Sequence, residues 1–89
     1  MILVNYWKDD IIHFAFLIEE RLYNCHTVHP GLPDNSEQFL TAHDRYEPLA
    51  KLMDASLLGK NLKRDILFVE IGQVDKVVVV TMPEKLKKE

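Results

Sequence analysis

The sequence predicts one α+β domain spanning residues 1–89, with a small mixed or antiparallel sheet of four to five strands, two central helices and a C-terminal β-hairpin. Three observations predict it. β-Branched and aromatic runs stand at both ends of the chain, and helix caps with helical periodicity occupy its middle. The 89 residues, 47% hydrophobic and 28% charged, suffice for one core and leave no room for a second.

Ile2-Leu3-Val4-Asn5-Tyr6-Trp7 reads as a first strand, stopped by the polar Lys8-Asp9-Asp10. Residues 11–18 satisfy two periods. Ile12, Phe14, Phe16 and Ile18 share one face of a strand, whereas Ile11, Phe14, Ala15, Ile18 and Leu22 share one helical face. Asp9 or Asp10 could cap a helix there, and Glu19-Glu20-Arg21-Leu22 would continue it, but the isoleucines and phenylalanines favour a strand. Leu22 to Val28 could form a further short strand, closed by the loop His29-Pro30-Gly31-Leu32-Pro33-Asp34.

Asp34 or Asn35 then caps a helix from about Ser36 to Asp44, because Glu37 and Gln38 stand at the reciprocal spacing of a capping box. Phe39, Ala42, His43 and Tyr46 fall on one stripe of it. Pro48 suits the first turn of a second helix, with Leu49, Leu52, Met53, Ser56 and Leu57 as its apolar face and Gly59 as its C-terminal cap. Asp65 to Ile71 and Lys76 to Met82 flank Gly72-Gln73-Val74-Asp75 and read as an antiparallel hairpin. The consecutive valines Val77 to Val80 leave no polar face, which implies a central strand covered by helices or by another subunit, and a homodimer is the economical cover.

A net charge of −3 supplies no global basic field, so non-specific binding of duplex nucleic acid is excluded and any nucleic-acid ligand must meet a local cationic site. No stretch approaches the roughly 20 apolar residues of a membrane span. The first residues show neither a basic region nor a small-residue cleavage site, so a secretory signal is unsupported, and the single cysteine, Cys25, points to a reducing, cytoplasmic setting. There is no glycine-rich phosphate loop.

Cys25, His26 and His29 include metal-ligating residue types, but in an extended segment Cys25 and His29 face one side and His26 the other, so no metal and no cofactor is expected. Lys60, Lys63 and Arg64 form a basic cluster between the second helix and the hairpin, either a phosphate contact or solvated charge at a helix end. His43, beside an apolar stripe, is either a proton donor and acceptor at a site or a half-buried structural histidine.

Several landmarks, in order, resemble the small ring-nuclease family of archaeal viruses and phages, whose members degrade cyclic tetra-adenylate and act as type III anti-CRISPR proteins. They are the first strand ending in Asn5, Phe39-Leu40-Thr41-Ala42-His43-Asp44, Leu57-Leu58-Gly59, Lys63-Arg64, Asp75-Lys76-Val77-Val78-Val79-Val80 and Lys85-Leu86. The chain departs from that pattern at Ala42, where glycine is usual, and at Lys85, where arginine is usual. The resemblance implies a metal-independent phosphodiesterase in which a ribose 2′-hydroxyl attacks its neighbouring phosphodiester. His43 would protonate the departing 5′-oxygen, Arg64 and Lys85 would stabilise phosphoryl charge with Lys63 beside them, and Asn5 would hold the ribose or a base edge. It also implies a homodimer that binds a small cyclic oligonucleotide about its two-fold axis, in the host cytoplasm if the protein is viral. Two other classes stand beside it: a non-enzymatic small dimeric binding or inhibitor protein of viral or bacterial origin, and a RelE-like toxin ribonuclease, against which the acidic balance counts.

Overall fold

Leu3–Lys8 (β1), Ile11–Ile18 (β2) and Arg21–Asn24 (β3) form an antiparallel meander. The computed structural model describes residues 2–59 and 67–81. Both meander turns are two-residue loops, since Lys8 pairs with Ile11 and Ile18 with Arg21. Such tight loops match the strand twist only when both central residues take positive φ, and Asp9, Asp10, Glu19 and Glu20 do so at 55°, 65°, 52° and 66°. None is Gly or Asn; Asp9 and Asp10 suit a turn, whereas Glu19 and Glu20 give no turn signal in the sequence.

Residues 11–18 are a strand, the alternative that their β-branched and aromatic content favours. The segment after it divides: β3 ends at Asn24, and Cys25–Val28 is a single helical turn (α1) rather than more strand. Ser36–Thr41 (α2) starts where the cap chemistry places it, with the Asn35 side chain accepting from the Gln38 N–H at 2.7 Å.

That helix does not continue to Asp44. Ala42 leaves helical geometry at φ −116° and ψ 46°, and a new helix, His43–Leu58 (α3), begins one residue later. Pro48 therefore lies inside α3, not in its first turn, and deprives the Asp44 carbonyl of its intrahelical donor. The aromatic stripe survives the break: the Phe39 ring stands 6.1 Å from Tyr46 and 6.3 Å from His43. Along α3 the core-facing positions are Tyr46, Leu49, Ala50, Met53 and Leu57, whereas Leu52, expected on that face, is 60% exposed. Gly59 caps the helix as expected, its N–H donating to Ala55 at 3.0 Å.

The C-terminal hairpin is the largest correction. Val69–Glu70 (β4) pairs with β3, while Lys76–Val79 (β5) pairs with β1, giving a sheet in the order β4-β3-β2-β1-β5. The two segments lie at opposite edges. Gly72 is not in the left-handed conformation that a tight hairpin requires; it sits in a 3₁₀ turn, Ile71–Gln73, which starts the crossover between the edges. The Ile71 N–H donates to Glu20 at 2.9 Å and the Asp75 N–H to Trp7 at 2.8 Å, fastening the two ends of that crossover.

The valine run consequently forms an edge strand. Double-sided burial belongs to β2, where Phe14, Ala15 and Phe16 are consecutive and buried. One face of the sheet packs Leu3, Phe14, Phe16 and Tyr23 against Phe39, Ala50 and Leu57 of the helices and Leu32 of the proline loop. On the opposite face Val4, Tyr6, Ala15 and Leu22 pack with Val69 and Val77 of the flanking strands and with Val74 of the crossover. The Tyr6 hydroxyl donates to Asn24 Oδ1 at 2.7 Å and its ring stacks on His13, with centroids 4.7 Å apart.

Candidate functional site

His43 opens α3, and its side chain is only 11% exposed. Glu47 Oε2 lies 3.3 Å from Nε2 and Asp44 Oδ1 lies 3.6 Å from Nδ1, yet both ring nitrogens are enclosed and neither has a hydrogen-bond partner. The i, i+4 spacing brings Glu47 alongside without hydrogen-bonding alignment. Glu47 also faces Lys51 Nζ, at 3.9 Å. Among the described residues, this imidazole's neighbours are aromatic and acidic, which does not favour a phosphate.

Asn5 is placed differently. Its side chain points to the helix side of the sheet, where Nδ2 donates to Ser36 Oγ at 3.0 Å and ties β1 to the start of α2. Beside this bond is a hollow of about 260 Å³, lined by Asn5, Ile12, Phe14, Asp34, Ser36 and Glu37 among others. Its two carboxylates oppose a phosphate ligand. His43 lines neither this hollow nor a second one of about 220 Å³ beside Tyr46 and the proline loop. Lys63, Arg64 and Lys85 lie outside the described residues. Of the expected site residues that are described, Asn5 lines one of these two hollows and His43 lines neither, so neither hollow brings the two together.

The loop histidines are engaged locally. His26 Nδ1 lies 2.9 Å from the Leu32 carbonyl oxygen, and His29 Nδ1 accepts from the Gly31 N–H at 2.9 Å. Cys25 is buried, and burial pushes its thiol pKa far up, which leaves it a poor nucleophile. Among the described residues no group of three or more His, Cys, Asp or Glu side chains could hold a metal ion. No helix among them is long and apolar enough to cross a membrane.

The feature that sequence reasoning misplaced is the outer edge of β5. Val78, on the helix side, is 41% exposed, and Val79, on the opposite side, is 58% exposed. No described strand pairs with that edge. Lys76, at its start, folds back over Trp7 with Nζ 5.3 Å from the ring centroid. The valine run was the available signal, but its position in the sheet is decided by β1, which has β2 on one side and needs a partner on the other. No family model, curated protein or solved structure matches this chain.

Proposed function

We propose that this chain is a non-enzymatic binding module that acts as a homodimer. The observation that supports the reading is the apolar edge strand β5, which leaves methyl groups in water on both of its faces. Native sheets ordinarily blunt such edges with charge, proline, bulges or brevity. The opposite edge is blunted: β4 has two residues, one of them Glu70. β5 has four, of which only Lys76 is charged, and that lysine stands at its end.

The phosphodiesterase reading rests on Asn5 at its hollow and on a resemblance in order and spacing. It requires His43 to reach a phosphate together with cations, and the described neighbours of His43 include two carboxylates. Two measurements test the proposal, and the second separates it from the phosphodiesterase reading, which implies a homodimer as well. Sedimentation of the full chain at micromolar concentration is expected to give a dimer, and incubation with cyclic tetra-adenylate is expected to leave it intact. A monomer removes the binding-dimer reading. Linear adenylate products that vanish in His43→Ala establish the enzyme instead.

A further inference from the structure

We infer that the second copy docks by antiparallel pairing of β5 with its own symmetry mate, about a two-fold axis beside Val78, so that two sheets become one; this rests on the homodimer reading. The ladder determines which backbone groups are free. The Val80 N–H donates to Leu3, its register partner, at 2.8 Å. In an antiparallel pair, hydrogen-bonded and non-hydrogen-bonded positions alternate. Val78 and Val80 therefore direct their N–H and C=O groups towards β1, and Val77 and Val79 direct theirs outward.

With Val78 opposite its own copy, each Val77 meets the partner's Val79 and the outward groups pair reciprocally, without strain or insertion. Charge selects the same direction. Parallel pairing would set Lys76 beside Lys76, whereas the two-fold arrangement puts each Lys76 opposite the partner's Val80, about 13 Å along the strand from the other ammonium and beyond strong electrostatic reach. The exposed faces of Val78 and Val79 then meet aliphatic neighbours across the seam.

At the axis, Val78 and its copy form a non-hydrogen-bonded pair, with Cα atoms about 4.5 Å apart, inside the 4.4 to 6.8 Å range a disulfide accepts. Val78→Cys is thus expected to give a covalent dimer under mild oxidation, whereas Leu58→Cys, an exposed position at the end of α3, is expected to cross-link far more slowly. The native Cys25 is buried and does not compete. Val78→Lys sets two ammonium groups face to face and is expected to weaken the dimer roughly tenfold or more in dissociation constant.

A wild-type monomer overturns the homodimer reading and this interface with it. A wild-type dimer that persists in Val78→Lys, or Val78→Cys cross-linking no faster than Leu58→Cys, overturns the interface while the homodimer stands. Should Val78→Lys melt early, Val79→Lys, at the more exposed position, replaces it, with the cysteine pair as the independent readout.

Discussion

Replacing Glu19-Glu20 by Asn-Gly is expected to stabilise this protein. Both glutamates occupy left-handed backbone, at φ 52° and 66°. A side chain with a Cβ pays about 1 to 2 kcal/mol there, less for Asn, and nothing for glycine. Glycine gives back about 0.5 to 1 kcal/mol through its freer unfolded chain. The net gain for the pair is about 1 to 2 kcal/mol, which at about 4 to 8 °C per kcal/mol for a domain of this size raises the melting temperature by roughly 4 to 16 °C. The turn is otherwise preserved, because the Glu20 carbonyl that accepts from Ile71 belongs to the main chain. Thermal unfolding by circular dichroism, checked by urea titration, measures the gain. Ala-Ala at the same two positions is the control: it removes the same two charges but keeps each Cβ, so it is expected to gain little. If Ala-Ala gains as much as Asn-Gly, charge repulsion rather than backbone conformation governs the turn. If Asn-Gly gains nothing, the strain argument is wrong. Asp9-Asp10 is expected to respond less, since aspartate tolerates left-handed backbone better than glutamate.

Gly31→Ala would place a Cβ 3.0 Å from the His29 ring and 3.2 Å from Leu49, so denaturant titration is expected to show a loss of about 1 kcal/mol or more, whereas at Gly72 the same Cβ meets nothing and the loss should be absent. Burial raises the Tyr6 phenol pKa above its ordinary 10.0, so above about pH 10 the unfolded chain releases a proton that the native chain keeps; stability falls as pH rises through that range, and Tyr6→Phe is expected to flatten the fall in melting curves taken from pH 8 to 11. His43→Leu removes two enclosed, unpaired ring nitrogens and is expected to hold or raise the melting temperature, since each such group costs about 1 to 3 kcal/mol; a large loss would show that the contacts to Glu47 and Asp44 outweigh desolvation.

Most of the candidate-site reading depended on where single residues would fall. His43 was legible as a residue beside an apolar stripe, and it is one: Phe39 and Tyr46 stand next to it in space as the 3.6-residue period requires. Its contact with Glu47 came from the continuity of α3 from His43 through Pro48, which sets Glu47 one turn beyond it where the sequence reading placed a gap between two helices. Asn5 was legible only as a polar residue in an apolar strand; its bond to Ser36 needed α2 to return over the sheet.

Local chemistry was enough to mark the first strand, the proline loop, the Asn35 cap and the α+β class, because each depends on residues within a few positions of one another. The period-2 and period-3.6 conflict over residues 11–18 was resolved by residue type, since branched and aromatic side chains suit a pleated surface. Strand partnership was beyond local reach. Two apolar runs around a glycine look like a hairpin whichever edge each run finally joins, and only the assembled meander, with β3 open on one side and β1 on the other, sends Val69–Glu70 and Lys76–Val79 apart. Pairing is a long-range competition among edges, and a valine run carries the same composition whether it lies in the middle of a sheet or at its rim.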